Sequence, residues 1–138
     1  MDRRPILLVE DNEDDEVFAL HAFEKSGVPN VVVVARDGQQ ALDRLLDPDV
    51  ELPVFVLLDL KLPKVSGLEV LKRLRADSRA RFVPVITLTS STHDTDMRAS
   101  YELGANSYVC KSLDIEAFTE HISVLARYWT GINMAIPD

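Results

Sequence analysis

The chain has 138 residues, 46% of them hydrophobic and 28% charged, which suffices for the core of one domain and leaves no room for a second catalytic or nucleic-acid-reading domain. A formal net charge of -8 argues against a nucleic-acid partner, because phosphate backbones are gripped by Lys and Arg patches. The single cysteine, Cys110, cannot form an internal disulfide, and no apolar run has signal-peptide or membrane-spanning length, so a cytoplasmic protein without a membrane partner is expected.

The first apolar run, Ile6 to Val9, reads as a strand and ends abruptly in Glu10, Asp11, Glu13, Asp14, Asp15 and Glu16, six carboxylates within seven residues. The helical stretch "DDEVFALHAFEKSG" follows, with Val17, Leu20 and Phe23 on one face. Asp14, Asp15 and Glu16 fall in its first turn, where capping and dipole-complementary charge are expected; Glu10 and Asp11 are left at the strand mouth, and Glu13 in solvent. A second strand, Val31 to Ala35, runs into the turn Arg36-Asp37-Gly38 and a helix carrying Ala41, Leu42, Leu45 and Leu46. The third, Val54 to Leu58, is followed at once by Asp59, then by "GLEVLKRLRAD" with Leu68, Leu71 and Leu74 on one face. The fourth, Val85 to Leu88, ends in Thr89-Ser90 before a weakly amphipathic segment, Asp94 to Leu103. The fifth, Ser107 to Cys110, ends in Lys111, and the last helix spaces Ile115, Phe118, Ile122, Leu125 and Trp129 three or four apart.

Short, continuously apolar strands alternating with amphipathic helices predict an α/β fold, a doubly wound five-stranded parallel sheet covered on both faces. Functional crevices in such sheets lie at the carboxyl ends of the strands, where this chain gathers Glu10, Asp11, Asp59, Thr89 and Lys111. Converging carboxylates repel by roughly 4 kcal/mol per pair at about 4 Å and an effective dielectric of about 20, so a cation is expected. Oxygen-only ligands with places left for water and phosphate suit Mg2+ better than Ca2+. With the Lys111 ammonium and the Thr89 hydroxyl opposite, the crevice makes an electrostatic clamp for a phosphoryl group, and Asp59 is the candidate nucleophile. "DNEDDE" is no calcium loop, since Glu16 stands where the required glycine would be. His21, His93 and His121 lack metal-ligand spacing, and Cys110 reads as an inert buried thiol.

The order Glu10-Asp11, Asp59, Thr89, Lys111, with "ILLVEDNEDD", "ARDGQQAL", "VLLDLKLPKVSGLEVLKRLR", "PVITLTSS" and "GANSYVCK", resembles the receiver domain of two-component response regulators over the chain to about Arg127. The resemblance implies a flavodoxin-like (βα)5 fold of strand order 2-1-3-4-5, and a signalling phosphoacceptor rather than an enzyme. It implies that Asp59 accepts a phosphoryl group from a sensor histidine kinase. It assigns Mg2+ to Asp11, Asp59 and the backbone carbonyl of Lys61, with Glu10 acting through water. Lys111 and Thr89 are then the catalytic partners of Asp59, and Thr89 with Tyr108 forms the switch that reshapes the face of the fourth helix, fifth strand and fifth helix. Lys61 and Ser91 stand where the family tunes access of water to the acyl phosphate. The sequence departs from the family at Ser112, where a proline usually follows the lysine.

On this reading residues 1–127 are the receiver domain and 128–138 a C-terminal extension, with Tyr128, Trp129, Ile132, Met134 and Ile136 as an expected dimerisation arm rather than a strap over its own domain. The tail and "DLKLPKVSG" look like the stand-alone response regulators that partner phytochrome-type photoreceptor kinases, so a bacteriophytochrome and a homodimer are the implied partners. A haloacid dehalogenase-type hydrolase is disfavoured by Lys61, which occupies the place of the acid/base aspartate, and an FMN carrier by acid where its phosphate loop would lie. The remaining alternative is a phosphorylation-independent pseudo-receiver used as a protein-binding module.

Overall fold

The computed structural model describes residues 2–136. Five parallel strands, β1 (Ile6–Val9), β2 (Val32–Ala35), β3 (Phe55–Leu58), β4 (Val85–Thr89) and β5 (Ser107–Cys110), form one sheet in the order β2-β1-β3-β4-β5. The helices between and after them are α1 (Glu13–Ser26), α2 (Gly38–Leu45), α3 (Gly67–Ala76), α4 (Asp94–Glu102) and α5 (Ile115–Arg127). The expected doubly wound α/β architecture and strand order are those observed.

Both faces of the sheet are covered because side chains alternate along each strand. Leu7, Val9, Val56, Leu58 and Val85 pack with Ala41, Leu42 and Leu45 of α2 and Val70, Leu71 and Leu74 of α3. Ile6, Leu8, Phe55, Leu57, Ile86 and Leu88 pack with α1 and α5 through Ala19, Ala22, Phe23, Phe118, Ile122 and Ala126. Alanines on α1 let α5 come close enough for the Ser123 hydroxyl to donate to the Ala22 carbonyl at 3.3 Å. That stripe corrects the expected apolar face: Val17 is 61% exposed, Leu20 packs at the margin, and Ala19, Ala22, Phe23 and Ser26 are the buried positions. Cys110 is also corrected, being exposed rather than buried, because β5 is an edge strand and Cys110 is its last residue.

α4 buries only Ser100, and its N-cap, His93, makes no side-chain capping bond. Its far end is held firmly by the Arg75 guanidinium at the end of α3. That group donates to the Gly104 carbonyl at 2.8 and 3.0 Å, the Val83 carbonyl at 2.7 Å and Asn106 Oδ1 at 3.0 Å. After α5 the chain continues as a π-helical turn, Tyr128–Ile132, with Thr130 buried and Trp129 packed against the α1/α5 core. Tyr128, Ile132, Met134 and Ile136 are exposed, and residues 137 and 138 of the extension lie outside the described residues.

Candidate functional site

Register places the acids side by side. Val9 pairs with Leu58 across β1 and β3, so Glu10 and Asp59 leave the sheet as neighbours, and the Asp59 N–H donates to the Val9 carbonyl at 3.1 Å. Thr89 pairs with Cys110 across β4 and β5, which brings Lys111 to the same edge with its N–H on the Thr89 carbonyl at 2.8 Å. The loop after β3 is fitted tightly against this edge. Gly67 donates to the Leu60 carbonyl at 3.0 Å, and a Cβ there would collide with the Asp59 carbonyl oxygen. In the same loop Lys64 takes φ 66°, a left-handed conformation costing a non-glycine residue about 1–2 kcal/mol, and its ammonium pairs with Asp37 at 3.4 Å.

Asp59 is 7% exposed and both its carboxylate oxygens are engaged: Oδ1 accepts the Lys61 N–H at 3.1 Å, and Oδ2 the Lys111 ammonium at 2.9 Å. Glu10 is 3% exposed, with Oε1 2.8 Å from Lys111 Nζ and Oε2 accepting the Asn12 N–H at 3.2 Å. Burial pushes the Glu10 carboxyl up to about 7; the Lys111 ammonium opposes this, and the charge of Asp59 adds to it. Burial acts against the charged form of Lys111, yet the hydrogen bonds it donates to Asp15, Glu10 and Asp59 more than offset it and raise its pKa.

Asp11 is exposed at the rim and completes the acidic cluster, in which oxygens of Glu10, Asp11 and Asp59 lie within 4.8 Å of one another. Three carboxylates without His or Cys fit a hard divalent cation. Lys61 turns its side chain to solvent and contributes its backbone N–H to the Asp59 turn. Thr89 is fully buried, and its Oγ1 accepts the Ser91 N–H at 3.3 Å. The Tyr108 hydroxyl donates to the Ser91 carbonyl at 2.8 Å, so Ser91 joins the two expected switch residues through its own backbone. No peptide bond among the described residues is cis, so Lys111–Ser112 is trans.

The sequence reading missed two contributors. Asp15 was assigned only to the first turn of α1, yet its carboxylate lies 2.8 Å from Lys111 Nζ. The available signal was its position in the first turn of a helix that begins directly after the strand-end acids Glu10 and Asp11. Asp96 of α4 accepts the Ser91 hydroxyl at 2.5 Å, tying the loop after Thr89 to α4; in the sequence it was one acid among several in a weakly patterned segment.

The domain is thus a doubly wound α/β sheet that gathers two buried carboxylates, Glu10 and Asp59, with Asp15 around one lysine at the carboxyl ends of its strands, where such sheets place their functional crevice. The chain belongs to the response regulator receiver domain family, which its residues 6–123 match. It is similar to the probable methanogenesis regulatory protein FilR2 of Methanothrix harundinacea, at 42% identity over 93% of this chain and 84% of that one. Similar too is the response regulator Rcp1 of Synechocystis, 32% identical over 90% of this chain and 87% of its own. The manganese-bound Rcp1 structure superposes with a TM-score of 0.90 over 97% of this chain and 99% of that one. The bacteriophytochrome response regulator AtBRR is 42% identical, covering 100% of this chain and 99% of its own, with a TM-score of 0.78. Receiver domains are phosphoacceptors of two-component signalling rather than classical enzymes, and they bind Mg2+ or Mn2+ at an acidic pocket. No helix among the described residues is long and apolar enough to cross a membrane.

Proposed function

We propose that this response regulator takes a phosphoryl group onto Asp59 from the phosphohistidine of a sensor histidine kinase, in a Mg2+-dependent reaction. The observation that carries this is the Asp59 carboxylate, buried at the mouth of β3 and oriented through both oxygens by the Lys61 N–H and the Lys111 ammonium. An Asp59 oxygen attacks phosphorus, the P–N bond to the kinase histidine breaks, and the imidazole nitrogen keeps the electron pair. Lys111 exchanges its Asp59 contact for a phosphoryl oxygen, and Thr89 Oγ1, already at the edge of β4, turns to donate to another. Asp11, Asp59 and the Lys61 backbone carbonyl would hold the cation, with Glu10 reaching it through water, and Mg2+ there would neutralise charge at the crowded oxygens.

The output follows from Ser91. Movement of Thr89 releases the Ser91 N–H, and Tyr108 and Asp96 feel the change through the Ser91 carbonyl and hydroxyl. The likeness to the bacteriophytochrome response regulator AtBRR makes a phytochrome-type kinase the proposed donor, with action in the cytoplasm. The exposed Tyr128, Ile132, Met134 and Ile136 are the proposed arm of a homodimer.

Intact mass measured with Mg2+ and acetyl phosphate tests the reading, alongside Asp59→Asn and a Mg2+-free control. A phosphate adduct dependent on both Asp59 and Mg2+ is expected. No adduct, with acetyl phosphate or a bacteriophytochrome kinase, would leave the pseudo-receiver as the better description.

A further inference from the structure

A lysine ammonium has three N–H donors and no acceptor. In this protein three carboxylate oxygens surround Lys111 Nζ: Glu10 Oε1 and Asp15 Oδ2 at 2.8 Å each, and Asp59 Oδ2 at 2.9 Å. Glu10 and Asp59 are members of the acidic cluster, whose oxygens a cation or an incoming phosphoryl group engages. Asp15 stands outside that cluster.

The placement of Asp15 is set mainly by helix α1. Its backbone N–H is bonded to Asn12 Oδ1 at 3.0 Å in the N-cap of α1, and α1 is packed along α5. Its side chain is 33% exposed against 3% for Glu10, so its charge is held at a smaller desolvation cost. Lys111 hangs from the edge strand on a flexible four-carbon stem, and such a stem loses its fixed direction when its partners turn elsewhere.

We propose that Asp15 is a positioning residue for phosphoryl transfer. It keeps one Lys111 proton occupied from the α1 side, so that the ammonium stays across the cleft while its other protons pass from Asp59 and Glu10 to phosphoryl oxygens. The inference rests on Asp59 being the acceptor. No bond to Asp15 forms or breaks; the P–O bond is made at Asp59 and the donor bond to phosphorus is broken there.

Two variants separate the parts of this role. Asp15→Asn keeps a side-chain oxygen on the same stem, and Asp15→Ala removes it. Phosphoryl uptake from acetyl phosphate with Mg2+ is followed by intact mass in the parent and both variants. The Lys111 ammonium is observed by 1H–15N NMR of the protein alone, assigned through Lys111→Arg. Asp15→Ala is expected to slow uptake about tenfold and to lose the slowly exchanging Lys111 ammonium signal. Asp15→Asn is expected to stay within about threefold of the parent and keep that signal, while Mg2+ affinity by calorimetry changes less than about twofold in both. Parental uptake in Asp15→Ala, a retained ammonium signal there, or equal loss in Asp15→Asn would overturn the proposal. A parent that takes up no phosphate would instead remove Asp59 as acceptor, and the ammonium signal would still decide whether Asp15 anchors Lys111.

Discussion

Glu10 carries its charge against its surroundings. Its carboxyl is raised to about 7 by burial, so the folded protein holds a proton there that the unfolded chain has released above about 4.5. Between those values folding takes up protons, and the contribution of Glu10 to stability falls as pH rises, levelling off above about 7. Urea midpoints should therefore show Glu10→Gln more stable than the parent at pH 8, with the advantage shrinking toward zero at pH 4.5; a constant difference across that range would mean that burial of the charge is not the cause. Glu10, Asp59 and Lys111 were legible in the sequence because each is the first polar residue after an apolar strand, and the parallel sheet fixes where strand ends go. Asp15 was not, because its pairing with Lys111 joins residues 96 positions apart that only the assembled fold brings together.

At the scale of elements, strands were easier to read than helix faces. A strand buried on both sides is apolar along its length, whereas α1 meets α5 through alanines, so counting large side chains found Phe23 and Leu20 but also took in Val17, which faces solvent, and passed over Ala19 and Ala22. The loop between β3 and α3 shows how an element can serve chemistry by bare proximity. Gly67 lies so close to the Asp59 and Leu60 backbone that any side chain must push the acceptor strand out of place. Gly67→Ala should lower stability by about 1–3 kcal/mol in chemical denaturation and slow phosphoryl uptake in the same samples. Arg75→Ala should cost a comparable amount, roughly 2–4 kcal/mol, by stranding the carbonyls of Val83 and Gly104, while uptake at the distant cleft stays near the parental rate.

For the whole molecule, the extension is the part whose role the sequence could only suggest, since an apolar tail can cover its own domain or another. The structure divides it: Trp129 and Thr130 face the domain, Ile136 lines a groove with Arg4 and Phe82, and Ile132 and Met134 face outward. Removing residues after Ile132 should shift light-scattering mass toward the monomer with little loss of thermal stability, whereas removal after Arg127 should also lower the melting temperature by taking away Trp129. A dimer that survives both truncations would place the interface elsewhere. The Arg75 clamp carries a mechanical consequence for signalling. α4 is pinned where Gly104 and Asn106 meet the guanidinium, and at its other end it is tethered by the Ser91–Asp96 bond without a capping side chain. Such a helix is a lever with its fulcrum at the end remote from the cleft. If Ser91 moves on phosphorylation as proposed, Met97 should shift further than Tyr101, and a protein reading this surface would gain most by touching the helix near its start.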